Sequence, residues 1–320
     1  MTRDHLQLKE VEHIEVTTII DNYVDVLLES SGIVTRPIMD KDGVILTDTL
    51  LAEHGLSLLL KVSQDEDRAS LLFDTGHSQV GVLHNFLLLG LDPNELDAIV
   101  LSHFHMDHTG SLYPLLENLS RPIPVIVHPD AFEFPRILHQ KDGSIRQFPV
   151  TLSREDLESR GVPIMESAGP LLFGDGMILV TGEVERTTSF EKGLPHAYME
   201  KGGNTVKDPV LCDQALVMNL KGQGLVVISG CSHAGIVNTI QYAMKITGVH
   251  RLHALLGGFH LGGPPFEPII EDTIEAVKAL NPQVVVPMHC TGQKAIQRFK
   301  EAFPDAFVLN SVGSRVTLQS

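Results

Sequence analysis

Within six positions this chain carries His103, His105, Asp107 and His108, in the run Leu101-Ser102-His103-Phe104-His105-Met106-Asp107-His108-Thr109-Gly110. Three imidazoles and a carboxylate are the donors that a borderline cation such as zinc accepts. The run follows Ala98-Ile99-Val100-Leu101, an apolar stretch that reads as a strand, and Thr109-Gly110 reads as the tight turn into a helix. In an extended segment alternate side chains project to one side, so His103, His105 and Asp107 are expected to converge. His108 then points elsewhere, toward a second metal position. Two adjacent cations would use such a set, and a lone structural site would not need it. The plain alternative is a histidine-rich surface loop, and the strand before the run and the turn after it argue against that.

Further pieces of the same kind are scattered along the chain: Glu53-His54-Gly55-Leu56-Ser57, Phe73-Asp74-Thr75-Gly76-His77, Gly230-Cys231-Ser232-His233, Gly257-Gly258-Phe259-His260-Leu261 and Met288-His289-Cys290-Thr291-Gly292. With the His-x-His-x-Asp-His run, they resemble the metallo-β-lactamase superfamily. The branch they look like is the metal-dependent hydrolases related to 7,8-dihydropterin-6-methyl-4-(β-D-ribofuranosyl)aminobenzene-5'-phosphate synthases, associated with methanopterin-type cofactor biosynthesis. The resemblance runs from about the first strand to the C-terminus. It implies an α/β fold, a four-layer αβ/βα sandwich of two mixed sheets flanked by helices. It also implies one domain over residues 1–320, with the site at the edge between the sheets.

The resemblance implies that His103 and His105 hold a first metal and that Asp107 and His108 serve a second. His233 and His289, each just after an apolar strand, are further expected ligands. Asp74 is expected to accept a hydrogen bond from a ligand imidazole and so fix its tautomer. Cys231 reads either as a thiolate ligand or as a small buried residue, with the buried reading preferred because His233 can take the same space. Cys290 reads as packing. His260 is a candidate proton donor, with a substrate contact or an uninvolved loop histidine as the alternatives, and His54 is a candidate substrate contact, with a structural histidine as the alternative. The chain departs from the family pattern at Thr181-Gly182-Glu183-Val184-Glu185-Arg186, where a further histidine is expected and none stands. Glu183 is a candidate ligand or substrate contact there, Arg186 a candidate partner for a phosphate or carboxylate, and His196 a distant candidate for the absent histidine.

The elements that must position these groups can be read coarsely. Strands are expected at Val16 to Ile20, Leu56 to Val62, Ala69 to Phe73, Asp97 to Leu101 and Pro122 to Val127. Others are expected at Gly176 to Val180, Gln214 to Leu220, Leu225 to Ser229, His253 to Leu256 and Val284 to Val286, with a final one beginning at Phe307 to Leu309. Helices are expected at Val82 to Leu89, capped by Gly90, and at Ile236 to Thr247, Glu267 to Leu280 and Gln293 to Phe303. Residues 35–51 and 132–166 read as insertions, the second near the site as a lid or an oligomer contact.

Composition narrows the function. With 320 residues and 43% hydrophobic content the chain can bury a substantial core. A formal charge of −16 and only 5% aromatic residues make nucleic acid a poor partner. Three cysteines make no disulfide framework and fit a reducing cytoplasm. No apolar run is long enough to span a bilayer, and Met1-Thr2-Arg3-Asp4-His5-Leu6 reads as no leader. A soluble cytoplasmic enzyme for a small molecule is the expectation, with oligomeric state left open.

The expected activity is that of a metal-dependent hydrolase, with one or two divalent ions (zinc first, manganese or iron next) and a metal-activated water, acting on a small anionic ester or phosphoester. Two alternatives stand beside it. One is a ribofuranosylaminobenzene 5'-phosphate synthase-like enzyme using phosphoribosyl pyrophosphate and an aminobenzoate. The other is a non-catalytic metal-binding redox or sensor module.

Overall fold

Two mixed sheets stack face to face, and each is apolar on both sides. In the computed structural model, which describes residues 5–320, the first sheet has eight strands. Their order is Ile164–Glu166, Val125–Val127, Ala98–Val100, Asp67–Phe73, Ser57–Gln64, His13–Ile20, Arg315–Gln319 and Val34–Thr35. The first four run parallel, and the rest pair antiparallel. The second sheet has the order Leu171–Phe173, Ile178–Val180, Ala215–Leu220, Gly224–Ser229, Leu252–Gly258 and Val284–Met288, with Glu10–Val11 parallel to Ala215–Leu220. Its last three strands are parallel.

The period-2 alternation of a strand explains the layering. In Ser57–Gln64, Leu58, Leu60 and Val62 face the core between the sheets, where they meet Leu216, Met218, Val226 and Ile228. Leu59 points the other way and packs with Leu72, Ile99, Val82, Phe86 and Leu115 under the helices Gly81–Leu88 and Leu112–Glu117. The second sheet repeats the pattern. Val227, Leu255 and Val285 pack against Ile240, Ile274 and Phe299 of the helices Ile236–Thr247, Ile270–Leu280 and Gln293–Ala302. Strands buried on both faces read as continuous apolar runs, as these do. The result is helix, sheet, sheet, helix, the expected αβ/βα sandwich.

Three expectations need correction. The final strand is Arg315–Gln319, and Phe307 makes only a single parallel bridge to Val285. Residues 307–309 follow the turn after the last helix, and chain direction alone did not separate a bridge from a strand. The second insertion ends earlier than residue 166, because Ile164–Glu166 pairs with Val125–Val127 as the edge of the first sheet. The rest of it is not irregular: Arg136–His139 and Ile145–Gln147 join Ala197–Lys201 and Asn204–Lys207 in a separate antiparallel sheet. The insertion at 35–51 holds one short hairpin, Asp40–Lys41 with Val44–Ile45. The leader reading rested partly on Met1 to Asp4, which lie outside the described residues. Among the described residues no helix is long and apolar enough to cross a membrane.

Candidate metal centre

Parallel strands deliver their following loops to one rim. At that rim Asp74 follows Asp67–Phe73, His103 follows Ala98–Val100, Cys231 and His233 follow Gly224–Ser229, His260 follows Leu252–Gly258, and His289 follows Val284–Met288. The turns are sharp. Asp74, Ser232, His260 and His289 all hold positive φ, between 45° and 63°. Such backbone costs on the order of 1–3 kcal/mol per residue and persists where the surroundings over-determine it. Glycine makes the close approach possible at Gly230, where an added Cβ would lie 2.1 Å from Ser102 Oγ.

One cluster is built of imidazoles alone. His103 Nε2 lies 2.8 Å from His105 Nδ1 and 3.2 Å from His233 Nε2, and the last two are 3.1 Å apart. Ser102 Oγ donates to Asp74 Oδ2 at 2.7 Å, so it accepts from His103 Nδ1–H at 2.9 Å and leaves His103 Nε2 without a proton. Burial, reinforced by the neighbouring rings, holds His103 and His233 well below the ordinary imidazole value, and burial drops His105 to about 3. Neutral nitrogens therefore face one another. Tetrahedral bonds of about 2.0–2.1 Å would set zinc-bound nitrogens about 3.3 Å apart, so the cluster suits such an ion.

A second cluster adjoins it. Asp107 Oδ2 lies 3.3 Å from His289 Nε2, 3.4 Å from His54 Nε2 and 4.0 Å from His108 Nε2. Burial opposes ionisation of Asp107, but His108 and His289 outweigh it and hold the carboxyl well below its usual value. His289 Nε2 is buried with no hydrogen-bond partner. A cation bound there would satisfy it.

Asp107 departs from the expected alternation. His103 and His105 do share a side, but the helix begins at Met106, so Asp107 turns away from them to join His54 and His289. His233 brings a third imidazole nitrogen to His103 and His105. Glu183 is exposed, and its backbone N–H bonds to the Ala168 carbonyl. Cys231 is buried, as preferred, and it also lies among the donors: its Sγ is 3.1 Å from His108 Nε2. Cys290 Sγ donates to the Cys231 carbonyl at 3.5 Å.

The remaining candidates stand nearby. The His260 ring centroid is 4.2 Å from that of His233, and its Nδ1 is buried without a partner. His54 is exposed. Asn22 Nδ2 donates to His54 Nδ1 at 3.3 Å, which leaves His54 Nε2–H to face Asp107. Arg186 is half-buried and donates from one terminal nitrogen to the Pro209 carbonyl. His196 is exposed at the edge of the small sheet.

Several supporting residues were not read from sequence. Asn22 Oδ1 accepts from His289 Nδ1 at 3.0 Å, and buried Asp21 accepts from the His289 backbone N–H at 2.9 Å. Asp213, pushed up to about 6 by burial, accepts from Ala234 N–H at 2.9 Å and holds the His233 turn. Phe148, from the second insertion, stacks on His105 at 4.6 Å and 13°. Fully buried Arg136 binds Asp208 through both carboxylate oxygens, at 2.8 and 2.7 Å, and sits 4.1 Å over the Phe104 ring. Only Ser102, beside His103, carried a signal by adjacency.

Comparison with known proteins places this geometry. Residues 25–187 match the metallo-beta-lactamase superfamily. The chain is 35% identical over 262 residues to the 7,8-dihydropterin-6-methyl-4-(beta-D-ribofuranosyl)-aminobenzene-5'-phosphate synthase of Methanocaldococcus jannaschii, covering 80% of this chain and 87% of the relative. An uncharacterized protein of the same organism is 32% identical over 265 residues, covering 82% and 92%. The crystal structure of Tm1679, described as a metal-dependent hydrolase of the beta-lactamase superfamily, superposes with a TM-score of 0.70 at 24% identity, covering 96% of this chain and all of that one. YhfI from Bacillus subtilis superposes at 0.51 and 16% identity, with 96% of this chain covered. At these identities the structural likeness speaks for the fold, while the sequence matches carry the kinship. The chain belongs to the metallo-beta-lactamase superfamily.

Proposed function

We propose that this protein is a metal-dependent hydrolase acting on a small anionic ester or phosphoester. The observation that carries the reading is the pair of adjoining donor sets, one of three neutral imidazole nitrogens and one containing a carboxylate. His103, His105 and His233 would hold one divalent ion. Asp107, His108 and His289 would hold a second, with Asp74 fixing His108 from behind. Zinc suits the nitrogen-rich set best, and manganese or iron is compatible with it. When bound, such ions supply Lewis acidity and bring the pKa of a water toward neutrality.

The chain's own residues do the rest. Asp107 orients the attacking oxygen as well as ligating. His260, with an unpartnered nitrogen beside His233, holds the proton for the leaving group. Exposed His54 and half-buried Arg186 contact the anionic part of the substrate, Arg186 with the guanidinium donors it does not spend on Pro209.

Elemental analysis of the purified protein comes first, followed by chelation and reloading with zinc, manganese or iron. Phosphodiesters, lactones and thioesters are then screened. Metal-dependent turnover that His103→Ala and Asp107→Ala abolish supports the reading. Full activity in the metal-free double variant overturns it.

A second reading is favoured by one observation, the 35% identity to a protein named as a synthase. There the two sets would serve a condensation of an aminobenzoate with phosphoribosyl pyrophosphate, the aminobenzoate losing its carboxyl as carbon dioxide and the donor losing pyrophosphate. Pyrophosphate release from phosphoribosyl pyrophosphate and 4-aminobenzoate, with no turnover of the hydrolase probes, would select it.

A further inference from the structure

A cavity of about 240 Å³ opens beside the imidazole cluster, and His233 lines both. Its walls are Phe190, Phe259, Leu261, Pro265, Phe266 and Ile269, drawn from the segment before Ala197–Lys201 and from the stretch after Leu252–Gly258. Complete small-molecule sites commonly occupy about 300–1,000 Å³, so this space fits a fragment of a ligand and not the whole of one.

The polar groups in the wall are engaged elsewhere. Glu191 is buried, and its two oxygens accept from Val237 N–H at 2.8 Å, Asn238 N–H at 2.9 Å and the Thr188 hydroxyl at 2.9 Å. It thereby closes the N-terminus of Ile236–Thr247 to any incoming anion. Ser232 Oγ donates to the Gly258 carbonyl at 2.9 Å. Lys192, the one lysine or arginine among the described lining residues, is exposed. What faces the space is apolar carbon, and a diphosphate would be poorly solvated there.

Two lining residues, His233 and His260, break the pattern. His233 Nδ1 and His260 Nδ1 are buried without hydrogen-bond partners. His260 is held in place by its positive φ of 45° and by an edge contact with Phe266 at 4.5 Å. The boundary between polar and apolar surroundings therefore runs through these two rings, next to the candidate ion position.

We propose that this cavity binds a compact apolar group of the substrate, of the size of one ring or a branched acyl chain, with the bond to be broken lying at the His233 and His260 boundary. This deepens the hydrolase reading above and rests on it. The substrate class is thus an anionic ester or phosphoester carrying a single ring-sized apolar substituent.

Methylphosphonate and phenylphosphonate serve as probes, each titrated calorimetrically into the metal-loaded protein. Phenylphosphonate is expected to bind at least about tenfold tighter, the gain that burying a ring-sized apolar surface provides. Ile269→Trp fills the cavity and should erase that gain while leaving methylphosphonate affinity unchanged, which also shows that the variant is folded. Phe266→Ala enlarges the cavity and should shift the preference toward 1-naphthylphosphonate. Equal affinity for the two small probes, or a gain that survives Ile269→Trp, overturns the cavity's role and leaves the hydrolase reading standing. Failure of both probes to bind at full metal occupancy overturns both.

Discussion

Asp74 Oδ2 lies 2.6 Å from His108 Nδ1, with both side chains fully buried. Ser102 adds its backbone N–H and its hydroxyl to the same carboxylate, each at 2.7 Å. The carboxylate thus holds His108 with Nδ1 protonated and Nε2 turned toward the second cluster. Loss of such an outer partner commonly costs about 10–100-fold in metal affinity. Asp74→Asn should weaken the second ion by that order and, because Ser102 relays the same carboxylate to His103, the first by less, as read by titration against a chelator of known affinity.

Proton release follows from the same pair. Burial alone would lower the His108 pKa, but Asp74 and Asp107 override it and raise it to about 9. Below that value the metal-free protein carries His108 as imidazolium, and binding at Nε2 must expel a proton. His103, His105 and His233 are already neutral at pH 7 and have none to give. Loading the second position at pH 7.5 should therefore release close to one proton and loading the first none, measured by calorimetry in buffers of different ionisation enthalpy. For the metal-free fold the sign is fixed too. A raised histidine contributes stability below its unfolded value of 6.5, and that contribution is lost as pH rises through about 9. Denaturation midpoints of the apoprotein should fall across that window.

His233 and Glu183 can be told apart directly. His233→Ala should remove one equivalent of bound metal, whereas Glu183→Gln should remove none. Equal loss in both variants would return Glu183 to the ligand set.

Asn22 joins two rings that sequence places far apart. Its Oδ1 accepts from His289 Nδ1 at 3.0 Å while its Nδ2 reaches His54 Nδ1 at 3.3 Å. Asn22→Ala should lower affinity at the second position about tenfold. Asn22→Asp, which keeps the acceptor for His289, should restore most of it.

Arg136 ties the small sheet to the metal loop. It is fully buried between Asp208 and Asp130, bonding each carboxylate. Arg136→Met leaves both acids without their counter-charge and should cost about 3–5 kcal/mol in urea denaturation. A second change, Asp208→Leu, should recover part of that loss.

The αβ/βα sandwich came from the family resemblance, and unbroken apolar runs such as Leu225 to Ile228 agree with it, since such runs mark sheets covered on both faces. His103, His105, Asp107 and His108 were legible because they are contiguous. A further histidine was expected near Glu183, whereas His233 comes to the His103 and His105 rings from another strand, since proximity in space needs no proximity in sequence. Asn22, Asp213 and Phe148 are common residue types in unremarkable contexts, and only their contacts give them a role. The small sheet escaped notice for a physical reason: Asn204–Lys207 is exposed throughout, so it shows no alternation to read.

The five donor groupings at the rim share one property: among the described residues, none is complete before Cys231. A fragment ending before Cys231 would therefore hold none of these groupings, although it keeps the whole His-x-His-x-Asp-His run. His289 is needed for the grouping with His54 and Asp107, so that grouping closes later still. Each grouping draws at least one donor from the loops that follow the second sheet's strands, so that sheet has to be in place before any of them could hold an ion.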